Sequence, residues 1–320
     1  MCGITGILDT SGSKVSKKNL QKMNNAIIHR GPDGEGFYFD GPLGLGHRRL
    51  AIIDLTDKGR QPMVSYDGRY VITYNGEIYN YKELRTELEG MGYIFKSSTD
   101  TEVLLTAFCE WGIKSLLKFN GMFAFAIWDK HKKELKLVRD RYGIKPLYFC
   151  KKGSLLIFAS EIKAILKSSL VSPTMDNEGL YEYLTFQNFF TNKTLFKNIE
   201  TIPAGSILKI DLRGKFSIKK FWDFDYDQQF NSSSKDLVLE CEELLSSAVK
   251  SQLVGDVEIG SYLSGGIDSG GIAAFASKYI NNLKTFTVGF DMQSASGIEL
   301  TFDERKRAEY MSYLFNTEHY

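Results

Sequence analysis

The residue with the clearest potential for chemistry is the cysteine behind the initiator methionine, where the chain begins Met1-Cys2-Gly3-Ile4-Thr5. Removal of Met1, which the small side chain of Cys2 permits, gives one residue with both a thiol and a free α-amine. Because an α-amine has a pKa of roughly 7.7 to 8.0, part of it is neutral near pH 7 and can take the proton of the thiol. The start of the chain therefore predicts a cysteine nucleophile that needs no histidine as its base.

A second candidate site is the glycine-rich stretch Leu263-Ser264-Gly265-Gly266-Ile267-Asp268-Ser269. Its two glycines allow a ligand to approach the backbone closely, Ser264 and Ser269 supply hydroxyl donors, and a helix predicted after it directs its N-terminus at an anion. The stretch lacks the lysine of a Walker A motif. It is typical of a loop that binds pyrophosphate, with Asp268 as a ligand for Mg²⁺. The alternative is a common turn between a strand and a helix.

The composition is that of an ordinary globular chain. Its 320 residues, 43% hydrophobic and 25% charged, suggest about two domains. The 40 lysine and arginine residues balance 39 acidic ones, so no basic surface for nucleic acid or membrane is expected. The four cysteines lack the spacing of a zinc site or a disulfide framework. No apolar run approaches the roughly 20 residues that span a bilayer, and we expect a cytoplasmic protein.

The first domain is predicted at residues 1–212 and contains mixed runs of strands and helices. Short apolar runs predict strands at 3–8, 43–47, 70–74, 122–129, 135–139, 155–160 and 207–211. Apolar residues at spacings of three and four predict helices at 17–28, 81–91, 101–111 and 177–186. Because the elements do not alternate strictly, an antiparallel sheet packed with helices is favoured.

The character of the chain changes after residue 212. A linker is predicted at residues 213–234, because the stretch 222–235 is aromatic and acidic and passes into the polar, serine-rich residues 231–234. From 235 to 320 a helix at 235–253, a strand at 257–263, the glycine-rich loop, a helix to 279 and a strand at 285–290 are predicted. This order is that of a βαβ unit, the opening of a parallel sheet.

Four segments in the first domain support the interpretation of Cys2. They read His29-Arg30-Gly31-Pro32-Asp33, His47-Arg48-Arg49-Leu50-Ala51-Ile52-Ile53-Asp54, Asn75-Gly76-Glu77-Ile78-Tyr79-Asn80 and Ser97-Ser98-Thr99-Asp100-Thr101-Glu102. Together with Cys2 they closely resemble class II glutamine amidotransferases. The resemblance implies an α+β fold for residues 1–212, the Ntn-hydrolase αββα sandwich, and hydrolysis of glutamine to glutamate and ammonia.

The resemblance also implies roles for individual residues. Asn75 and Gly76 match the family's oxyanion pair, and an asparagine NH₂ beside a glycine N–H supplies the two donors that a tetrahedral intermediate needs. Taken alone, Asn75-Gly76 is a strong signal for a type I′ hairpin turn, and both interpretations stay open.

The same resemblance implies a pocket for the free amino acid. Arg49 matches the ligand of its carboxylate and Asp100 that of its ammonium; alone, they would indicate a surface ion pair and a helix cap. By resemblance, the main chain at Ile52 and Ile53 and the residue Glu77 complete the pocket.

The loop at 263–269 resembles the PP-loop of the N-type ATP pyrophosphatases. By resemblance, residues 235–320 begin an α/β, adenine nucleotide α-hydrolase-like domain, with Leu263 and Val288 lining the adenine site. The pyrophosphate is expected at Ser264, Gly265, Gly266, Asp268 and Ser269.

The two modules in this order resemble glutamine-dependent asparagine synthetases, as do the segments at 139–148 and 159–164. That family is a ligase that uses ATP and Mg²⁺, without an organic prosthetic group, to adenylate the β-carboxylate of aspartate. It then passes ammonia to the intermediate, so that asparagine, glutamate, AMP and pyrophosphate are formed.

Two features depart from the family pattern. Gly270 and Gly271 replace residues that are usually Ser or Thr, which weakens the start of the helix by about 1 kcal/mol for each glycine. A second acidic motif of the SGEGSDE type and a catalytic lysine are absent from the sequence, so a C-terminally truncated synthetase half, or one completed by a separate chain or a homodimer, is expected.

Two alternatives stay open: an amidotransferase for a different acceptor, with which the long stretch at 294–303 is compatible, and a remnant that only binds or hydrolyses glutamine.

Overall fold

The computed structural model describes residues 1–227, 232–289 and 303–320. Backbone contacts divide the chain into two units, Met1–Tyr226 and Asp227–Tyr320. The strands of the first unit are Gly3–Asp9 (β1), Gly34–Asp40 (β2), Leu43–Arg49 (β3), Met63–Val64 (β4), Tyr70–Ile78 (β5), Gly121–Asp129 (β6), Glu134–Arg139 (β7), Tyr148–Lys152 (β8), Leu155–Ala159 (β9), Glu200–Thr201 (β10), Ser206–Asp211 (β11) and Phe216–Lys220 (β12). Its α-helices are Lys17–Asn25 (α1), Tyr81–Gly90 (α2), Asp100–Trp111 (α3), Ser115–Lys118 (α4), Ile162–Lys167 (α5) and Asn177–Phe186 (α6).

These strands form two antiparallel sheets that pack face to face. The first has the order β10-β8-β9-β1-β3-β2 and the second the order β12-β11-β7-β6-β5-β4. Side chains alternate between the faces of a strand, so Ile4 and Leu8 of β1 point into the core between the sheets, whereas Ile7 points to the opposite face. Trp128 of β6 is fully buried in the same core; burying a large apolar side chain of this kind stabilises the fold by about 1.5–3 kcal/mol.

Helices cover the outer faces of both sheets. Leu20 and Met23 of α1 and Ile165 of α5 pack in a second apolar cluster on the first sheet. On the second sheet, Phe108 of α3 meets Phe125 of β6 edge to face, with 6.5 Å between ring centroids. The layers are therefore helix, sheet, sheet and helix, and the predicted αββα sandwich is confirmed.

The boundary of the predicted linker is wrong at its first residues. Residues 213–234 contain strand β12, which pairs with β11 from Ser206 opposite Lys220 to Ile210 opposite Phe216. Because β12 is the outer strand of its sheet, its exposed lysines hide the apolar pattern of a strand. The next helix begins at Ser234, capped by the Ser233 hydroxyl, and residues 228–231 of the predicted linker lie outside the described residues.

The second unit contains a parallel sheet. Its strands are Gly260–Tyr262 (β13), Lys284–Phe286 (β14) and Glu318–His319 (β15), and its helices are Ser234–Gln252 (α7), Ile267–Ala276 (α8) and Arg305–Phe315 (α9). β13 pairs with β14 and β14 with β15, both in parallel, as the predicted βαβ order requires. The strand predicted at 257–263 is shorter than expected, and residue 290 of the strand predicted at 285–290 lies outside the described part of the chain.

Helix α8 forms in spite of its two glycines because tertiary packing uses one of them. Gly270 is buried against α9, where an added Cβ would lie 3.0 Å from the Met311 sulfur. Its missing side chain therefore permits close helix packing, which offsets its low helix propensity.

Of the helices in the described ranges, none is long and apolar enough to span a bilayer.

Candidate active site

The segments singled out in the first unit converge on one cavity. Strand pairing explains this, because Gly3 lies opposite Arg48 in the β1–β3 ladder and Cys2 therefore lies beside the residues that follow β3. The cavity is lined by Met1, Cys2, Arg49, Leu50, Ile52, Ile53, Gly59, Gln61, Tyr74, Asn75, Gly76, Glu77, Thr99, Asp100, Thr101 and Lys145. All the residues predicted for the glutamine site are in this set.

The thiol of Cys2 is held by the backbone of Leu50. The Leu50 N–H donates to Cys2 Sγ at 3.3 Å, and Sγ lies 3.5 Å from the Leu50 carbonyl oxygen. Arg30 Nε donates to the Cys2 carbonyl oxygen at 2.9 Å and so fixes the main chain of the same residue. In the chain that carries Met1, burial raises the pKa of the Cys2 thiol above its ordinary 9.0, so the thiol is protonated at neutral pH.

Met1 itself lies at the cavity. Lys145 Nζ donates to the Met1 sulfur at 3.1 Å. Burial lowers the pKa of the Met1 α-amine below its ordinary 8.0; the Cys2 thiol opposes this, and the positive charges of Arg30 and Lys145 add to it. An amine at this end of the chain is therefore in surroundings that favour its neutral form.

The edge of β5 forms one wall of the cavity. β4 pairs with β5 at Val71 and Ile72, and beyond these residues side chains bind the backbone of β5. The Tyr74 N–H donates to Gln61 Oε1 at 2.6 Å and the Ile78 N–H to Asp100 Oδ2 at 3.0 Å. Because backbone direction alternates along a strand, the N–H of Gly76, midway between them, faces the same edge.

Asn75 and Gly76 lie inside β5, paired with Ala124 and Phe123 of β6, so the hairpin-turn interpretation is wrong. The turn preference of an isolated Asn-Gly pair yields here to the long β5–β6 ladder. Asn75 is 1% exposed, and its side-chain nitrogen Nδ2 has no hydrogen-bond partner among the residues that the structure describes. The cavity thus contains a buried donor that is free to bind a ligand.

Gly76 is required for close packing. A Cβ at this position would lie 2.3 Å from the Met122 carbonyl oxygen and 2.7 Å from the Phe123 Cα, atoms of a backbone that cannot give way cheaply. We expect Gly76→Ala to lower the free energy of unfolding by about 1–3 kcal/mol, as overpacking does, measured by urea denaturation. Gly90→Ala is the matched control, because nothing lies within 4 Å of its added Cβ; equal stability of the two variants would contradict the packing argument.

Arg49 and Asp100 lie in the cavity with their side chains oriented by neighbours. Arg49 donates from Nη1 to the Thr56 carbonyl oxygen at 2.6 Å and from Nη2 to that of Asp54. Asp100 Oδ2 accepts from the Tyr74 hydroxyl at 2.8 Å as well as from the Ile78 N–H. The alternative interpretation of Asp100 as a helix cap is wrong, because the cap of α3 is Thr99, whose hydroxyl accepts from the Glu102 N–H at 3.2 Å, and Asp100 is the first residue of the helix.

Two carboxyl groups give the cavity its acidic side. Burial raises the pKa of Asp100 above its ordinary 3.8, while the hydrogen bonds from Tyr74 and Ile78 lower it. Burial also raises the pKa of Glu77, the negative charge of Asp100 adds to the effect, and the positive charge of Lys145 opposes it. A ligand with an ammonium group would relieve the repulsion between these carboxylates.

Half of the residues that line the cavity were not predicted as site residues, among them Gln61, Thr101 and Lys145. Gln61 links β5 to α3, since its Nε2 also donates to Thr101 Oγ1 at 3.2 Å. Lys145 reaches the cavity from the turn after β7. Gln61 stands in no pattern that indicates a site. Thr101 lies in the segment 97–102 and Lys145 in the segment 139–148, both of which resemble the family, but the resemblance gave neither residue a role.

The predicted pyrophosphate loop is ordered by its own serines. The Ser264 and Ser269 hydroxyl oxygens lie 2.8 Å apart, the Ser264 N–H donates to Ser269 Oγ at 3.0 Å, and the Gly266 N–H donates to Ser264 Oγ at 3.2 Å. At Gly265 an added Cβ would lie 2.8 Å from the Arg307 side chain. The loop follows β13 and leads directly into α8, the strand–loop–helix context that was predicted.

The remaining predicted ATP residues are placed less favourably. Leu263 is buried in a cluster with Ala273 and Ala308, and its N–H donates to the Phe286 carbonyl oxygen at 2.9 Å. Val288 is 86% exposed. Asp268 is exposed in the first turn of α8. Within residues 1–227, 232–289 and 303–320, no group of three or more His, Cys, Asp or Glu side chains could hold a metal ion, so Mg²⁺ at Asp268 stays a prediction.

Curated proteins similar to this chain carry the name asparagine synthetase [glutamine-hydrolyzing]. Number 1 of Bacillus subtilis is 37% identical over 303 residues, 94% of this chain and 48% of its own length. Number 3 of the same organism is 36% identical and covers 100% of this chain and 54% of itself. A putative asparagine synthetase [glutamine-hydrolyzing] of Methanocaldococcus jannaschii is 35% identical and covers 100% of this chain and 64% of its own length. The chain spans about half the length of these relatives.

Solved structures show the fold. Glutamine phosphoribosylpyrophosphate amidotransferase from B. subtilis matches with a TM-score of 0.54 at 17% identity, over 100% of this chain and 65% of that one. Residues 1–222 match the family described as glutamine amidotransferase domain, and residues 240–320 match asparagine synthase. Since the first match spans more than half of the chain and agrees with its fold, the chain belongs to the glutamine amidotransferase family, and its second unit carries asparagine synthase sequence.

Proposed function

We propose that the chain is a glutamine-dependent amidotransferase of the asparagine synthetase type. The observation that carries this proposal is Asn75 Nδ2, a buried donor without a partner among the described residues, in the same cavity as the Cys2 thiol. Buried polar groups are normally hydrogen-bonded, and leaving one unsatisfied costs about 1–3 kcal/mol. A free donor beside a nucleophile is what a developing oxyanion needs.

The hydrolysis of glutamine follows from these groups once Met1 is removed. The α-amine of Cys2 takes the thiol proton, and the sulfur attacks the carboxamide carbon of glutamine. The carbonyl oxygen becomes an oxyanion that accepts hydrogen bonds from Asn75 Nδ2 and the Gly76 N–H. When the carbon–nitrogen bond breaks, the amine returns its proton to the leaving ammonia. Water then hydrolyses the thioester and releases glutamate and the free thiol.

The charged ends of glutamine fit the two sides of the cavity. Arg49, fixed by the carbonyl oxygens of Thr56 and Asp54, is the ligand for the α-carboxylate, and Asp100 and Glu77 are the ligands for the α-ammonium. The backbone at Ile52 and Ile53 completes the pocket.

Arg49→Lys is expected to weaken glutamine binding at least tenfold, about 1.4 kcal/mol. An ammonium cannot reproduce the planar two-point contact of a guanidinium with a carboxylate. Isothermal titration of both proteins with glutamine measures the change. Arg48→Lys is the matched control, because Arg48 lies outside the cavity and binds Glu35 and Asn25; unchanged affinity in Arg49→Lys would remove Arg49 from the pocket.

The donor half is tested by incubating the purified chain with glutamine and measuring intact mass and ammonia. We expect chains without Met1 to form a glutamyl adduct at Cys2 and to release ammonia from glutamine and not from asparagine. Absence of both the adduct and ammonia release in chains without Met1 would refute the proposal.

For the second unit we propose ATP as co-substrate, its pyrophosphate bound by the Ser264–Ser269 loop, and aspartate as the acceptor of ammonia. The asparagine synthase match over 240–320 supports this. The test is pyrophosphate release from ATP with ammonia and a panel of carboxylates. Release that depends on aspartate supports the proposal. Release with another carboxylate alone supports the alternative acceptor, to which the stretch at 294–303 was related; residues 294–302 lie outside the described part of the chain.

A further inference from the structure

Lys145 is a buried cation without a buried counter-ion at bonding distance. It is 8% exposed, and no carboxylate in the described ranges lies within ion-pair distance of its Nζ, whose hydrogen bond goes to the Met1 sulfur at 3.1 Å. Burying an ammonium group costs several kcal/mol unless it is well paired. A thioether is a weak acceptor, so this contact does not offset that cost.

The backbone around Lys145 is built to hold it in this place. Asp140 accepts from the N–H groups of Tyr142, Ile144 and Lys145 at 3.1, 2.9 and 2.9 Å. Arg139 Nε donates to the Lys145 carbonyl oxygen at 3.0 Å. The turn is therefore fixed from both sides, and the direction of the lysine side chain follows from it.

The side chain reaches the end of the chain where the proposed chemistry begins. Met1 is bonded directly to Cys2, and Lys145, which contacts the Met1 side chain, lines the same cavity as Cys2. When Met1 is removed, Lys145 loses this contact.

We propose that Lys145 is a positioning residue whose positive charge keeps the Cys2 α-amine in its neutral, basic form and favours the thiolate. This inference rests on the proposed function. A nearby cation disfavours protonation of an amine and favours loss of a proton from a thiol. Because of both effects, the active protonation state forms at a lower pH. Removing the charge therefore raises the pH at which this state forms.

Other charges act on the same two groups and must stay constant in the test. Two cations and three carboxylates interact electrostatically with the terminal amine or the thiol. The cations are Arg30 and Arg49, and the carboxylates are Asp33, Glu77 and Asp100. Asp140 and Glu77 face Lys145 itself. The variants below leave all of these residues in place.

The test compares Lys145→Met and Lys145→Arg with the unchanged protein, all without Met1. The first readout is the pH dependence of Cys2 alkylation by iodoacetamide, followed by peptide mass spectrometry, which needs no glutamine. A neighbouring charge typically shifts a pKa by roughly one unit or more. We therefore expect the midpoint to rise by about one unit in Lys145→Met and to stay unchanged in Lys145→Arg. Superimposable curves for Lys145→Met and the unchanged protein would overturn the proposal.

The second readout is the acidic limb of kcat/KM for glutamine hydrolysis. We expect it to move upward by the same amount in Lys145→Met, which lowers activity near pH 7 by at most about tenfold, and to be restored by arginine. An unmoved acidic limb beside a shifted alkylation curve would overturn the role in catalysis. Absence of hydrolysis in the unchanged protein would refute the proposed function instead, and the alkylation curves would still decide on Lys145.

Loss of fold is separated from loss of charge by thermal denaturation. If Lys145→Met unfolds, Lys145→Gln replaces it, since an amide keeps most of the length and the polarity of the side chain without its charge. A Lys145→Gln curve that matches the unchanged protein would equally overturn the proposal.

Discussion

Cys2→Ala is expected to abolish glutamine hydrolysis, with a fall of roughly 10³-fold or more, while glutamine still binds. Removal of the nucleophile eliminates the covalent pathway, whereas the proposed ligands of the carboxylate and ammonium, Arg49 and Asp100, remain. Alanine is as small as cysteine at the second position, so Met1 is removed from the variant too. Ammonia release measures the first effect and isothermal titration the second.

The control for this prediction is another free thiol of the same unit. Cys109 is partly buried and lies outside the cavity, so Cys109→Ala should hydrolyse glutamine at the rate of the unchanged protein. Equal ammonia release by Cys2→Ala and the unchanged protein would rule out Cys2 as the nucleophile. A glutamyl adduct on chains that keep Met1 would rule out the α-amine as its base.

The strands at the centre of each sheet could be predicted from the sequence, whereas those at the edges could not. Strand β6 is buried along almost its whole length, and its apolar run is continuous. Strand β7 is buried as well, although Glu134 and Lys136 interrupt its apolar residues. Strand β2 is an edge strand of the first sheet and β12 is an edge strand of the second, and both are only half-buried. The polar side chains of an edge strand are exposed to solvent, so its sequence pattern resembles that of a loop.

Local signals failed where long-range packing decides the structure. Asn75-Gly76 has the preference of a turn, yet nine residues of β5 pair with nine of β6 across it. The glycine is present because the neighbouring backbone of Met122 and Phe123 leaves no room for a Cβ. That contact joins residues about 50 positions apart, and no short window of sequence contains it.

The residues of the site were predicted by resemblance, but their supporting partners were not. Gln61 binds the backbone of β5 and the hydroxyl of Thr101 in α3. The loop of Gln61, strand β5 and helix α3 become neighbours only in the folded unit. Lys145 reaches Met1 across 144 positions of sequence. Such residues could not be found from spacing, because their function depends on contacts that the fold creates.

Asn75→Ala is expected to lower kcat for glutamine hydrolysis by about 10²–10³-fold, or 2.7–4 kcal/mol, the usual effect of removing one oxyanion donor. KM for glutamine should change little, because the donor is proposed to bind the oxyanion and not the charged ends of the substrate. Steady-state ammonia release at a series of glutamine concentrations separates the two constants. A loss in KM with kcat unchanged would place Asn75 in substrate binding instead.

The same variant makes an unusual prediction for stability. Since Asn75 Nδ2 makes no hydrogen bond within the described residues, its removal breaks no bond, and the free energy of unfolding should change by no more than about 1 kcal/mol. Asn24 is the matched control: it is equally buried, but its Nδ2 donates to the His47 carbonyl oxygen at 3.2 Å and its Oδ1 lies 3.4 Å from the Thr5 hydroxyl. Asn24→Ala should therefore lose about 1–3 kcal/mol of stability and keep its activity per folded molecule. Asn75→Ala could instead be destabilised as strongly as Asn24→Ala and lose activity only in proportion to the loss of folded protein. Asn75 would then be a structural residue, and its unpaired donor would no longer support the proposed function.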